Sequence, residues 1–153
     1  MGYYVDRFGE ETARSKISDM KRIGAAEKID FSYSGFIGNT LDSHRLIWKA
    51  REEGGSDLQD RVVESVFKAY FEEEKSLGEP SVLKECAERA GMDVSSVLRD
   101  GTDAGRREVE EEMEDFRTRF SCSGVPLFVV DGTYVLSGAQ PPEAFLETFS
   151  KLR

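Results

Sequence analysis

The sequence has few of the residues that build disulfide frameworks and zinc sites. Its 153 residues include two cysteines, Cys86 and Cys122, and one histidine. Two cysteines this far apart do not form a disulfide framework, and with one histidine they do not complete a zinc ligand set. The longest apolar run, Val125–Val130, is far too short to span a bilayer. We therefore expect no metal site and no membrane segment.

Positive charge is also in short supply. Lys and Arg total 21 against 30 Asp and Glu, which gives a net charge of −9, and no local basic cluster offsets it. Such a chain repels phosphate backbones, so nucleic acid and anionic membranes are poor candidate partners. The first residues have no basic region followed by an apolar one, as a secretory signal would, so we expect a cytoplasmic protein.

What is present is the composition of a globular protein. Hydrophobic residues make up 39% of the chain and aromatic residues 10%, which suits one domain with its own core over residues 1–153. Helical spacing predicts a helix over residues 10–26, followed by an alternating segment, Ile29–Tyr33, with one buried face.

The middle of the chain, about residues 40–120, has a helical pattern throughout. Asn39-Thr40-Leu41-Asp42 resembles a capping box that opens the first helix of this region. Interruptions are expected at Gly54-Gly55-Ser56 and around Gly78 and Pro80. The apolar stripes predict helices that carry Leu58, Val62, Val66, Ala69 and Tyr70, then Val82, Leu83, Cys86, Ala87 and Ala90, then Val94, Val97 and Leu98, and finally Val109, Met113, Phe116 and Phe120.

The end of the chain has the pattern of two strands and a helix. An apolar, β-rich run begins at Val125-Pro126, Asp131-Gly132 is a strong two-residue hairpin signal, and residues 133–137 run back as a second strand. After a break at residues 138–140, a last helix begins at Pro141 or Pro142. A proline at the start of a strand belongs at a sheet edge or beside a site, because it cannot donate a hydrogen bond to the ladder.

Several motifs carry a resemblance to a known family. Residues 124–129 together with residues 136–143 look like the C-terminal signature of DsbA-family proteins of the FrnE type, whose relatives include kappa-class glutathione transferases and 2-hydroxychromene-2-carboxylate isomerases. Asn39–Leu46 resembles the family motif that opens the helical insertion, and Phe67–Phe71 matches a further block. The segment from Tyr4 to Gly9 resembles the stretch before the first helix.

The resemblance implies an α/β fold of the thioredoxin-like, DsbA type. It would consist of a large helical insertion at residues 40–120 and the C-terminal ββα half of the fold at residues 121–153, with the N-terminal βαβ unit absent. It implies a cis Val125–Pro126 bond, thiol–disulfide or glutathione-linked chemistry in the full-length form, no cofactor, and a thiol-containing peptide or glutathione as substrate. The substrate-binding residues it implies are Val125, Pro126, Gly138, Ala139, Gln140 and Asn39.

The departure from the family concerns the catalytic motif. No Cys-x-x-Cys occurs, and thiol exchange needs a stabilised thiolate with a second thiol to resolve the mixed disulfide. We therefore assign no catalytic residue and expect this chain to be inactive. It would be a truncated gene product, a natural short isoform, or a chain whose sheet is completed by a partner such as a second copy. The alternative function is a non-catalytic binding or assembly module built on the helical platform.

Individual residues have less specific interpretations. Cys122 is a substitute thiol or, more simply, a free cysteine, and Cys86 is a core residue that forms no disulfide with Cys122. His44 has no identifiable partner for general-base chemistry, so a helix-surface position is the simpler interpretation. Asn39 is either a ligand contact or a helix cap. The acidic run Glu108–Glu114 is expected to be a solvated helix face.

Overall fold

The computed structural model describes residues 5–6, 8–93 and 102–152. They form two compact units, Met1–Val109 and Glu110–Arg153, and each unit is described by itself. The predicted helix with Val94, Val97 and Leu98 lies outside the described residues. The elements are α1 (Glu10–Ala26), α2 (Leu41–Phe71), α3 (Pro80–Ala90), α4 (Arg106–Phe120), β1 (Leu127–Val130), β2 (Tyr134–Ser137) and α5 (Pro142–Phe149).

Helix α2 is interrupted where its glycines predicted an interruption. Gly54 and Gly55 leave the helical conformation, and Gly55 has φ 64° and ψ −158°, a backbone conformation that glycine adopts without a side-chain penalty. The chain resumes a helix directly afterwards. The predicted bounds of α1, residues 10–26, match the observed ones.

The core of the first unit lies between α2 and α3 and includes Leu77 and Met92 from the segments that flank α3. Leu83 and Cys86 are each 1% exposed and Val62 is fully buried, so Cys86 is the core residue that its apolar stripe predicted. Burying one such aliphatic side chain contributes about 1.5–3 kcal/mol. The buried cluster consists of Leu46, Ala50, Leu58, Val62, Val66, Ala69, Leu77, Leu83, Cys86, Ala87, Ala90 and Met92.

The start of α2 corrects the predicted capping box. Thr40 occupies the N-cap position, but its side chain makes no capping hydrogen bond. Asn39 Oδ1 accepts the Leu41 N–H at 2.8 Å instead, and Ser43 Oγ donates to the Thr40 carbonyl at 2.7 Å. Because the side chain one position earlier satisfies a free N–H of the first turn, the threonine hydroxyl is not needed there.

Nearby, Arg45 fastens a distant loop to α2. This arginine is 5% exposed and donates to the carbonyls of Ala104 at 2.8 Å and Thr102 at 2.7 Å. It also pairs with Asp42 at 2.7 Å. These bonds hold the segment that leads into α4 against the start of α2.

The segment Ile29–Tyr33, expected to be extended with one buried face, joins no strand among the described residues. The Ser32 N–H donates to the Phe71 carbonyl at the end of α2, at 2.7 Å. Phe31 packs edge-on against Phe71 with ring centroids 5.7 Å apart. A β-carbon at Gly24 would lie 2.4 Å from the Phe31 ring, so this glycine permits α1 to approach the segment.

The second unit contains the predicted hairpin and helix. β1 and β2 pair antiparallel, with Leu127 opposite Ser137 and Val130 opposite Tyr134. Asp131 and Gly132 both have positive φ, 52° and 63°, as expected of a tight hairpin turn. Because Val130 pairs with Tyr134, however, the connection has three residues, Asp131–Thr133, where a two-residue turn was predicted. Phe128 of β1 packs edge-on against Phe145 of α5, with ring centroids 4.9 Å apart. This contact attaches the helix to one face of the hairpin.

The acidic run on α4 is exposed over most of its length, as expected for a solvated face. Of its apolar stripe, Val109 is buried whereas Met113 is 46% exposed. Within the described ranges, no helix has both the length and the apolar character needed to cross a membrane.

Candidate functional site

Five of the six candidate binding residues lie together at the open end of the hairpin. Val125 and Pro126 lead into β1, and Gly138, Ala139 and Gln140 follow β2; we call these five residues the proline-loop surface. The Gly138 N–H donates to the Pro126 carbonyl at 2.8 Å, which joins the two segments. The Val125–Pro126 peptide bond is cis, so that prediction is confirmed.

The turn after β2 is held in place by its own residues. Gly138 has φ +79°, and a β-carbon there would meet nothing within 4 Å, so the backbone conformation alone favours glycine. Gln140 Nε2 donates to the Ser137 carbonyl at 2.7 Å. The turn is thus held both by this internal bond and by the bond from Gly138 to Pro126.

The side chains of the proline-loop surface are apolar or uncharged. Its five residues include no nucleophile and no titratable side chain, whereas the Val125 side chain is 90% exposed. These five residues therefore include no group for nucleophilic or acid–base chemistry.

The sixth candidate, Asn39, belongs to the other compact unit. Its side-chain oxygen accepts the Leu41 N–H at the start of α2. Of the two interpretations of Asn39, helix cap and ligand contact, this bond corresponds to the helix cap. His44 is exposed on the surface of α2, in agreement with the simpler interpretation of that residue.

Both cysteines are free thiols, as expected. Cys122, in the second unit, is partly exposed and its Sγ donates to the Gly124 carbonyl at 3.4 Å. Burial raises the pKa of the Cys86 thiol, whose Sγ donates to the Ser65 carbonyl at 3.6 Å. A raised pKa is the opposite of what a reactive thiolate needs. Among the described residues, no three His, Cys, Asp or Glu side chains converge on a metal position.

An ionic network that the sequence did not reveal ties the end of α2 to α3. Arg89 makes two hydrogen bonds to Glu73, at 3.0 and 2.8 Å, and Lys75 bridges Glu73 at 3.0 Å and Glu85 at 2.7 Å. The hydrogen bonds from Arg89, and next those from Lys75, lower the pKa of Glu73 to about 2. The network fixes the loop after α2, and its two positive side chains pair with its two carboxylates.

A second feature missed from the sequence is an apolar groove of about 950 Å³ in the first unit. We call it the aromatic groove, and its principal apolar lining comes from Ile17, Met20, Phe31, Phe67 and Phe71. The signal was present in part, because Phe67 and Phe71 widen the apolar face of α2 beyond what its contact with α3 requires. Sequence spacing does not show that α1 would leave this face open.

Comparison with known proteins identifies the family. Residues 10–150 match the DSBA-like thioredoxin domain, so the chain belongs to the DSBA-like thioredoxin domain family. The match includes the helices of the first unit as well as the hairpin and final helix of the second. The predicted fold class, an α/β thioredoxin-like fold of the DsbA type with a large helical part, is confirmed.

A solved structure supports the assignment. The chain is similar to the crystal structure of a "probable DsbA oxidoreductase" from Streptomyces coelicolor, with a TM-score of 0.85 and 27% sequence identity. The alignment covers 96% of this chain and 64% of that one, so the chain spans less than two thirds of the length of this relative. No match was found among curated proteins.

Proposed function

We propose that the chain serves thiol–disulfide oxidoreductase chemistry in its full-length form, and that these 153 residues supply the surface that receives the thiol substrate. The supporting observation is the proline-loop surface, where Val125 is exposed beside Pro126 and the Gly138 N–H bonds the Pro126 carbonyl. It occurs in a chain that belongs to the DSBA-like family. The surface would bind an extended, thiol-bearing peptide through backbone contacts.

The 153 residues alone are proposed to be inactive in thiol exchange. In that reaction a thiolate attacks one sulfur of a disulfide, the other sulfur leaves as a thiolate, and a second thiol of the enzyme then displaces the bound sulfur. Cys86 is buried with a raised pKa, and Cys122 has no second cysteine three residues away. Neither can complete this cycle.

Within the family, we propose the FrnE, isomerase and kappa-class transferase branch, with glutathione as a candidate substrate. Support comes from the motifs at residues 39–46, 67–71, 124–129 and 136–143, which resemble that branch in order. We propose a cytoplasmic location because the two free thiols suit a reducing compartment.

A non-catalytic binding or assembly module is the second candidate. It is favoured by the helical core of the first unit, which α2 and α3 complete between themselves. A second copy could also complete the two-stranded sheet, whose Phe128 is 37% and Val135 43% exposed. Replacing Val135 with Lys should then abolish self-association in sedimentation velocity, whereas a monomeric wild-type chain would contradict the assembly role.

Reduction of insulin by dithiothreitol tests the proposed inactivity. The chain and its Cys122→Ser variant should both leave the rate at that of dithiothreitol alone. Acceleration that disappears in the variant would make Cys122 a catalytic thiol and would contradict the proposal.

The coding sequence upstream of Met1 separates the two candidate functions. An in-frame Cys-x-x-Cys, or a serine in the equivalent place, favours the oxidoreductase or transferase. An upstream frame that lacks both favours the binding module.

A further inference from the structure

Within the second unit, helix α4 carries a narrow apolar stripe that is open to solvent. Met113, Phe116 and Phe120 follow one another at spacings of three and four residues, so they lie on one face of the helix. Met113 is 46% exposed. Phe116 and Phe120 are partly exposed, and their ring centroids lie 5.3 Å apart. Alternating spacings of three and four residues are the pattern with which one helix packs along another in a coiled coil.

The charges that flank this stripe change sign along the helix. In the heptad frame that the stripe defines, the flanking e and g positions are occupied by Glu110, Glu112, Arg117 and Arg119, all of which are exposed. We call the stripe and these four residues the α4 face. An acidic start and a basic end also suit the helix dipole, but the dipole does not require that these charges border the apolar stripe.

The α4 face is complementary to itself when two copies of the helix run antiparallel. A two-fold axis across the helices brings the same flank of each copy together, so position e meets e and position g meets g. Glu110 would then face Arg117 of the second copy, Glu112 would face Arg119 of the second copy, and symmetry repeats both pairs. A parallel pair would match only Glu112 with Arg117, since g then meets the following e. The charges therefore favour the antiparallel arrangement.

We propose that the α4 face is an interaction surface for the same face of a second copy of this chain, in an antiparallel helix pair. Another protein would need the same change of sign along its own apolar stripe, whereas a second copy necessarily has it. Within one copy Arg119 contacts Asp115 at 2.9 Å, but its side chain is 58% exposed and has donors for a second carboxylate. The inference does not depend on the oxidoreductase function, and it uses no residue of β1 or β2.

Sedimentation velocity of the full chain over a concentration series tests the proposal. The wild type should self-associate weakly, with a Kd of about 0.1–1 mM, because one helix against its equivalent makes a contact below the standard interface size. Added salt should weaken the association, since exposed ion pairs are screened. Met113→Ser should weaken it about fivefold or more, because the stripe loses its first exposed apolar side chain. Leu146→Ser, which removes a 66% exposed side chain of α5, is the matched control and should change nothing.

A charge swap separates contact between copies from effects within one helix. Arg119→Glu should weaken association about tenfold, because two attractive pairs become repulsive. Adding Glu112→Lys should restore association in an antiparallel pair, since the two positions then exchange their charges. In a parallel pair the new lysine would face Arg117 and weaken association further. The contact of residue 119 with Asp115 is lost in both variants, so it cannot account for a restoration.

Three results would overturn the proposal. The first is a wild-type chain that stays monomeric at about 1 mM, the weak end of the expected range. The second is a charge-swapped variant that associates no better than Arg119→Glu alone. The third comes from Val135→Lys on β2, which should leave this association unchanged. Association that is lost in Val135→Lys and kept in Arg119→Glu would show that the copies pair through the sheet instead.

Discussion

At Gly105, in the first unit, an added methyl group would meet both an unfavourable backbone conformation and a close neighbour. The residue has φ +78°, and a β-carbon there would lie 2.6 Å from Cε3 and 3.0 Å from Cζ3 of Trp48. Real β-carbons essentially never come that close to another heavy atom. Arg45 holds the preceding carbonyls of Thr102 and Ala104, so the loop cannot move away without losing those bonds.

The expected cost of Gly105→Ala combines two effects of the same sign. An alanine in the left-handed region costs about 1–2 kcal/mol, and forcing a methyl group against a packed ring costs about 1–3 kcal/mol more. Gly105→Ala should therefore lower the free energy of unfolding by about 2–5 kcal/mol. Because Trp48 is the only tryptophan, its emission should also shift in the folded state.

Gly91→Ala is the matched control for this experiment. Gly91 has the same φ of +78°, but nothing lies within 4 Å of its β-carbon position, so only the backbone cost of about 1–2 kcal/mol applies. Urea denaturation followed by Trp48 fluorescence and by circular dichroism gives both values. If Gly105→Ala is no more destabilising than Gly91→Ala, the close contact with Trp48 is refuted.

Three further predictions concern single groups. Ser65→Ala should raise the free energy of unfolding by about 1 kcal/mol, since it removes a buried hydroxyl without a partner; a decrease in urea denaturation would show that the hydroxyl is satisfied. The pKa of Glu73 is lowered from 4.5 to about 2, so its stabilising effect is present above pH 4.5 and is lost as pH falls towards 2. Glu73→Gln should remove about 1 kcal/mol of that acid dependence, allowing for solvent screening of a side chain that is 26% exposed, and unchanged pH profiles would contradict this. Gly138→Ala should destabilise the hairpin by about 1 kcal/mol through its φ of +79°, whereas Gly124→Ala should be neutral; hairpin amide exchange compares the two, and equal effects would refute the backbone argument.

Local patterns were sufficient to predict most elements of the fold. The apolar period of α1 gave its bounds, Gly54 and Gly55 marked the break in α2, and Asp131-Gly132 specified a turn that needs two positive φ values. Each of these features depends on residues close together in the chain. The edge proline, Pro126, was interpretable for the same reason, because its missing N–H restricts where it can stand in a sheet.

The features that the sequence did not reveal depend on distant residues. Arg89 and Glu73 are sixteen positions apart and meet only because the loop after α2 turns back along α3. The aromatic groove requires that α1 approach Phe31 through Gly24 and yet leave Phe67 open. The capping box was wrong in one detail: either Asn39 or Thr40 could satisfy the first turn, and in the structure the side chain of Asn39 does so.

The candidate site also divides into residues that are close in the chain and one residue that is distant. Five of its residues lie near one another in the chain, at the two ends of one hairpin, and the structure brings them together. Asn39 entered the set only through the family resemblance. It belongs to the other compact unit, where its side chain helps to begin α2.

Titration of the ¹⁵N-labelled chain with reduced glutathione tests the central proposal most directly. The account predicts saturable shifts at millimolar concentration that are confined to the amides of the proline-loop surface, namely Val125, Gly138, Ala139 and Gln140. The same shifts should appear in Cys122→Ser, because binding there does not require that thiol. Absence of shifts at these four amides, or shifts confined to the first unit, would contradict the receiving role of this surface.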